Sequence, residues 1–215
     1  MQLHEPDGSM TLEHASILVV HSASGHSGKT TICKALVHDL PFDIYIKLSR
    51  RSPHLAARSL SAGTLSEADG DTGRLSQSQR AAHLGPLSDI LFLDGPRSET
   101  DEAIASAVQQ WPPDTRILIE GYCTPLPQRS QTMYVLSCPL APDPKPDMGT
   151  SAAQANLIVV NRFPGCSPVA EAALVALLRD WNPQAALVAG SIENRVFLET
   201  VEEAVLRLLP ALGSA

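Results

Sequence analysis

Short runs of apolar residues recur along the whole chain, and segments with helical spacing separate several of them. A short continuous apolar run bounded by turn residues is typical of a buried strand. The predicted strands lie at about 16–21, 43–48, 89–94, 116–121, 133–137, 155–161 and 185–189. Apolar strands that alternate with helices predict an α/β fold with three layers: a mainly parallel seven-stranded sheet with helices on both faces.

Four helices are predicted between and after these strands. One follows Gly28 and ends before Pro41, and a second covers about 98–110, where apolar residues recur with helical spacing. A third begins after Ser167 and Pro168, a pair typical of an N-cap and the first helical position. The last covers about 200–212.

The composition indicates one globular domain that does not bind nucleic acid or membranes. The chain has 215 residues, of which 44% are hydrophobic and 18% charged, with a formal net charge of −7. A negative charge argues against nucleic acid and anionic membrane surfaces as partners. No apolar run is long enough to span a membrane, and we expect a cytoplasmic protein.

The chain divides into a leader and one domain. Residues 1–15 are polar and acidic, so we expect a flexible leader rather than a signal peptide. Residues 16–215 form the predicted domain. Within it, 49–86 lacks apolar periodicity and is interpreted as a substrate or switch segment, and 139–154 is a Pro-rich loop that could act as a lid.

Four cysteines occur, at positions 33, 123, 138 and 166. None of them form a C-x-x-C pair, so the spacing signals neither a zinc site nor a redox motif. We expect reduced thiols with a structural role.

The first predicted strand leads directly into a Gly-rich turn and then a helix. This order of strand, turn and helix N-terminus is the context of a phosphate-binding loop, in which backbone N–H groups and the helix dipole surround an anion. The predicted nucleotide-binding residues are Ser24, Gly25, His26, Ser27, Gly28, Lys29, Thr30 and Thr31.

Two side chains in this loop have specific predicted roles. Lys29 would reach the β- and γ-phosphates, and the Thr30 hydroxyl would bind Mg²⁺. The motif G-x-x-x-x-G-K-[ST] departs at its first position, where Ala23 replaces glycine, and alanine allows the turn only if its φ stays negative. The alternative interpretation is a Gly-rich connection with a solvent-exposed lysine.

Two predicted strands end in a carboxylate followed by glycine, at Asp94 and Glu120. Parallel strands bring their carboxyl ends to one edge of the sheet, where ligands bind. One of these acids is predicted to be the Walker-B residue, which binds Mg²⁺ or orients a nucleophile. We choose Glu120, with Asp94 second; for each, the alternative is a strand-ending turn residue.

Lys47 lies near the end of the second predicted strand, among apolar neighbours. This position favours contact with phosphates or an acidic substrate. A lysine on an edge strand that faces water is the alternative.

These motifs together resemble those of a class of P-loop NTPases. The class includes dethiobiotin synthetase, the cobyrinic acid amide synthases and the MobB-type adapter of molybdenum cofactor biosynthesis. The resemblance depends on five segments: S-G-H-S-G-K-T-T at 24–31, Y-I-K-L at 45–48, D-T-G-R-L at 71–75, I-L-I-E-G-Y at 117–122 and V-V-N-R-F-P-G at 159–165. The first three are similar to MobB, the fourth resembles a strand found in both MobB and dethiobiotin synthetase, and the last is more similar to dethiobiotin synthetase.

The resemblance implies ligands and an assembly. It implies Mg²⁺ with ATP or GTP, a homodimer, and a purine contact from Asn161. The base stays open because the N-K-x-D pattern that selects guanine is absent after Asn161. Leu48 also replaces the histidine that follows the strand-two lysine in MobB-type chains.

Three hypotheses follow. The first is a MobB-like nucleoside triphosphate-binding protein, a slow NTPase that assists a cofactor-biosynthesis protein. The second is an enzyme of the dethiobiotin synthetase type, which would phosphorylate a carboxylate or carbamate of a small acidic substrate, with Lys29, Lys47, Glu120 and Asp94 as catalytic residues. The third is a non-catalytic interaction protein with a degenerate loop, for which Ala23 is the support.

Overall fold

The structure, a computed structural model, describes residues 16–49, 56–60, 89–121, 127, 130–141 and 145–209. The strands are β1 (Ile17–Ser22), β2 (Ile44–Ser49), β3 (Ala56–Leu60), β4 (Asp89–Asp94), β5 (Ile117–Glu120), β6 (Ser130–Cys138), β7 (Leu157–Arg162) and β8 (Ala186–Gly190). The helices are α1 (Lys29–Asp39), α2 (Arg97–Gln110), α3 (Met148–Ala153), α4 (Pro168–Trp181) and α5 (Arg195–Leu208).

All of the described strands belong to one sheet, in the order β3-β4-β2-β5-β1-β6-β7-β8. The seven predicted strands pair in parallel, which confirms the predicted α/β fold. An additional strand, β3, pairs antiparallel with β4 at the sheet edge, inside the predicted switch segment. The rest of 50–88, like the predicted leader 1–15, lies outside the described residues.

Helices cover both faces of the sheet. On one face, apolar residues of α1 and α5, such as Leu36 and Val201, pack on alternate residues of the central strands. On the other face, α2 packs through Ile104, and α3 and α4 pack through Ala152 and Leu178. This arrangement completes the three predicted layers and buries β1 at their centre.

Two helix starts show how side chains set the boundaries. The Ser167 hydroxyl accepts a hydrogen bond from the Ala170 N–H (3.1 Å), which confirms the predicted N-cap of α4. Helix α5 begins at Arg195, five residues before the predicted start, because the Asn194 side chain accepts from the Val196 N–H (2.9 Å). The predicted start at about residue 200 left this cap unrecognised.

The region predicted as a Pro-rich loop contains helix α3 at Met148–Ala153. The expectation of reduced cysteines is wrong for one pair, because Cys138 and Cys166 form a disulfide. Cys138 ends β6 and Cys166 follows the neighbouring strand β7, so the parallel pairing brings their Cα atoms to 5.8 Å despite 28 residues of separation. Cys33 is a free, buried thiol.

No helix among the described residues is both long enough and apolar enough to cross a lipid bilayer.

Candidate functional site

The Gly-rich loop lies at the carboxyl end of the central strand. Strand β1 runs between β5 and β6, and α1 begins at Lys29, so residues 23–28 connect the strand to the helix N-terminus. No acidic side chain occupies the first turn of α1. The partial positive charge of the helix N-terminus is therefore directed toward the loop without a carboxylate in that turn to offset it.

Two residues of this loop have a left-handed backbone conformation. His26 has φ 57° and Gly28 has φ 91°, both in the left-handed region. Gly28 is the N-cap of α1, and a Cβ there would lie 2.6 Å from Asn161 Nδ2. Gly28 is thus required for its φ and for the close approach of a neighbouring side chain.

Ala23 is accommodated at the position where the motif has glycine. Its φ is not positive, and its N–H donates to the Val135 carbonyl (3.2 Å). The side chain is buried. The turn therefore forms with alanine at this position, because the φ of Ala23 is not positive. This finding weakens the support that Ala23 gave for a degenerate loop.

Lys29, Thr30 and Glu120 meet beside the loop. Lys29 Nζ lies 2.5 Å from Glu120 Oε1, and the Thr30 hydroxyl donates to the same oxygen at 2.6 Å. The contact forms because β5 pairs directly with β1, with Glu120 opposite Val20. The structure thus joins three of the predicted site residues in one cluster.

The Glu120 side chain is 1% exposed, yet its carboxylate is held ionised. Burial favours the neutral acid, but the charges of Lys29 and Lys47, with hydrogen bonds from Lys29 and Thr30, lower the Glu120 pKa below its ordinary value. A negative oxygen therefore faces the Thr30 hydroxyl at neutral pH.

Tyr45 is a member of this cluster that sequence reasoning missed. It is fully buried on β2, and its phenol hydroxyl donates to Glu120 Oε2. Strand alternation was the available signal: Tyr45 and Lys47 share a face of β2, and Lys47 lies opposite Glu120 on β5.

The oxygen donors here are suited to Mg²⁺. The Thr30 hydroxyl and the Glu120 carboxylate converge within 2.6 Å, and hard cations of this size prefer such ligands. Two hydroxyls of the loop, at Ser24 and Ser27, are buried without a hydrogen-bond partner among the described residues. Unsatisfied buried hydroxyls within a loop of this geometry are consistent with a ligand that would satisfy them.

Asp94 and Lys47 lie at the same edge of the sheet, at different distances from the loop. Lys47 lies on β2, opposite Glu120 on the neighbouring strand β5. Asp94 ends β4, which β2 and β5 separate from β1. Three strand spacings place Asp94 about 14 Å from β1. Glu120 is therefore much better placed than Asp94 to act beside Thr30.

Asn161 contacts the loop from the other side. Its side chain is buried on β7. Its Nδ2 donates to the Ser27 carbonyl (3.1 Å), and its Oδ1 accepts from the Ile192 N–H (3.2 Å). The amide links the Gly-rich loop to the turn before α5. Of the remaining predicted loop residues, Gly25, His26 and Thr31 are exposed.

Lys145 is a second residue that sequence reasoning missed. Its Nζ donates to the Ser22 carbonyl and its backbone N–H to the Ala23 carbonyl, each at 2.8 Å. Nearby His21 is buried against Tyr134, with ring centroids 4.8 Å apart. Burial, together with the charge of Lys145, lowers the pKa of His21 to about 4, so the imidazole is neutral at physiological pH.

Comparisons with known proteins support the fold. No family model matches the chain, and no curated protein matches its sequence. The structure is similar to HypB from Helicobacter pylori in complex with nickel, with TM-score 0.51 and 15% identity, covering 91% of this chain and 87% of that one. It is also similar to the hydrogenase maturation factor HypB from Archaeoglobus fulgidus, with TM-score 0.52 and 15% identity, covering 91% and 90%. The chain thus shares with these structures an α/β fold built on a mainly parallel sheet.

Proposed function

We propose that this protein binds a nucleoside triphosphate with Mg²⁺ in the loop at residues 23–30 and hydrolyses it slowly. One observation carries the proposal: the side chains of Lys29 and Thr30, at a helix N-terminus, meet the buried carboxylate of Glu120 within 2.6 Å. A lysine, a hydroxyl and a carboxylate beside a Gly-rich turn are the parts that phosphoryl transfer requires.

Each part has a role in this proposal. The loop N–H groups and Lys29 bind the phosphate oxygens, and Lys29 exchanges its contact with Glu120 for the β- and γ-phosphates. Thr30 and Glu120 hold the magnesium ion, which would neutralise charge that develops on the phosphates. Asp94 is the second candidate acid.

The MobB-type role is the finer part of the proposal. We infer that the protein is a homodimer that assists a cofactor-biosynthesis protein, as in molybdenum cofactor assembly, with ATP or GTP as nucleotide. The support is the resemblance of the segments at 24–31 and 117–122. In this proposal Asn161, next to Gly28, lies beside the base and contacts the purine.

Substitution of Lys29 tests nucleotide binding. Wild-type protein titrated with Mg–ATP and Mg–GTP in a calorimeter should bind at least one of them. Lys29→Ala should weaken that binding at least about 30-fold, because it removes a charge that pairs with the phosphates. Lys34→Ala, which removes a lysine farther along α1, is the matched control and should bind normally. Equal binding by wild type and Lys29→Ala would contradict the proposal.

A second candidate is an ATP-dependent enzyme of the dethiobiotin synthetase type. The position of Lys47 opposite Glu120 favours it, because an ammonium group there could neutralise an acidic substrate. A panel of carboxylate- and amine-bearing metabolites should then include one that produces a burst of ADP. The burst should be lost in Lys47→Ala. If no compound in the panel stimulates turnover, this candidate fails.

A further inference from the structure

We propose that Tyr45 is a positioning residue, which holds the Glu120 carboxylate at the magnesium side of the nucleotide site. The inference rests on the proposed function, because it assigns to Tyr45 a role in the binding of the metal–nucleotide complex.

The hydrogen bonds of Glu120 divide between its two oxygens. Oε1 accepts from Lys29 and Thr30, at 2.5 and 2.6 Å. Oε2 accepts from the Tyr45 hydroxyl. The contacts of Oε1 come from residues of the phosphate-binding motif, and the contact of Oε2 comes from the sheet.

The two contacts of Oε1 must change when a nucleotide binds. In the proposed function Lys29 Nζ, which lies 2.5 Å from Glu120 in this structure, moves to the phosphates, and the Thr30 hydroxyl would turn its oxygen toward the cation. The contact with Tyr45 is not part of this exchange. It is therefore the hydrogen bond that keeps the carboxylate in place in both states.

Tyr45 is suited to hold the Glu120 carboxylate in place because its own side chain is packed in the core. Its side chain is 0% exposed, and it belongs to the core cluster beneath α1, with Leu118 and Ile90. These two residues lie opposite Tyr45 on the two strands that flank β2. The phenol cannot rotate away without opening the core, so its hydroxyl is a fixed donor.

The chain offers a matched control. Tyr134 is as deeply buried as Tyr45, at 1% exposure, but its hydroxyl has no hydrogen-bond partner among the described residues. Tyr45→Phe and Tyr134→Phe remove the same atom from similar surroundings. Only the first change removes a hydrogen bond to the site.

The experiment compares nucleotide affinity with and without metal. Affinity is measured by calorimetry with ATP and GTP in excess EDTA, and then across a Mg²⁺ titration. Tyr45→Phe should bind nucleotide normally in EDTA and need about 10- to 100-fold more Mg²⁺ to reach half of the metal-dependent gain. Tyr134→Phe should match wild type in both conditions. If Tyr45→Phe only disturbed the fold, it would change nucleotide affinity both in EDTA and in the Mg²⁺ titration, or in neither.

The outcomes separate this inference from the proposed function. If wild type binds nucleotide, Lys29→Ala does not, and Tyr45→Phe keeps the wild-type Mg²⁺ dependence, the inference fails and the proposed function stands. If wild type binds no nucleotide, both fail. If Tyr134→Phe shows the same Mg²⁺ deficit as Tyr45→Phe, the inference also fails.

A measurement on the wild-type side chain covers the case in which Tyr45→Phe does not fold. Protein labelled with ¹³C at tyrosine Cζ gives a resonance for Tyr45. This resonance is assigned as the one that shifts in Glu120→Gln and keeps its position in Tyr134→Phe. That resonance should stay hydrogen-bonded when Mg–nucleotide is added. A move to the position seen in Glu120→Gln would overturn the inference.

Discussion

Gly28 is a residue of the loop at which both backbone geometry and packing constrain the site. Its φ is 91°, and an added Cβ would lie 2.6 Å from Asn161 Nδ2. Gly28→Ala should lower the free energy of unfolding by about 2 to 4 kcal/mol, because it combines backbone strain with overpacking. Urea denaturation without nucleotide measures this.

Gly25→Ala is the control for that substitution. Gly25 is three residues earlier in the loop, its φ is not positive, and an added Cβ would meet no atom within 4 Å. Its unfolding free energy should stay within about 1 kcal/mol of wild type. Similar losses in the two variants would show that the loop tolerates no side chain and would contradict the specific role of Gly28.

Single residues of the site were predictable where a motif fixes their spacing. Lys29 and Thr30 follow from the Gly-Lys-Thr sequence, and Glu120 from a strand that ends in an acid. Tyr45 and Lys145 were missed because their contacts are set by neighbours 75 and 123 positions away. Contacts at such separations depend on sheet order, which no local pattern contains.

At the scale of secondary structure, the Asn182 side chain joins the end of α4 to several neighbouring segments. After the end of α4, its Nδ2 donates to the carbonyls of Ala152, Ala153 and Ala155, at 2.8 to 3.1 Å. Its Oδ1 accepts from the N–H groups of Gln184 and Ala185. The amide thus ties α4 to the end of α3 and to the residues before β7 and β8.

Asn182→Ala should therefore cost about 2 to 4 kcal/mol of unfolding free energy, because it leaves several buried backbone groups unpaired. Asn194→Ala, which removes a helix cap with one hydrogen bond, should cost only about 1 kcal/mol. Thermal and urea denaturation of both variants measure the difference. A loss at Asn182 no larger than that at Asn194 would show that solvent satisfies the freed groups.

Strands were easier to predict than helix boundaries. The central strands β1, β5 and β7 contain continuous apolar runs, since both of their faces are covered. β3 has the sequence Ala-Ala-Arg-Ser-Leu, without such a run, and it forms because β4 offers an unpaired edge. Leu177 follows the buried Leu174 at a spacing of i, i+3, yet it is exposed, and Leu174 and Leu178 are the buried residues of α4.

The stability of the whole molecule should fall in acid through His21. Its pKa is about 4 in the folded chain and 6.5 when unfolded, so the unfolded chain binds more protons between these values. Stability from this residue is thus complete above pH 6.5 and decreases as pH falls to 4, by about 3 kcal/mol. Urea denaturation at several pH values measures the slope.

The test is the difference between wild type and His21→Gln. Glu202 has an opposite effect in the same range, because burial and its contact with Asp39 raise its pKa to about 7. Both proteins contain Glu202, so subtracting one pH profile from the other cancels its contribution to stability. The wild type should lose about 3 kcal/mol more than the variant between pH 6.5 and 4. Parallel profiles would show that the pKa of His21 is not lowered in the folded protein.

The Gly-rich loop is held at both of its ends. Lys145 holds the carbonyls of Ser22 and Ala23, and Asn161 holds the carbonyl of Ser27. Folding therefore fixes the backbone at both ends of the loop before the proposed nucleotide binds, and little conformational freedom is left there to lose on association. An arriving polyphosphate would meet a receptor that is already shaped, so its capture should be limited by diffusion and by the departure of Lys29 from Glu120.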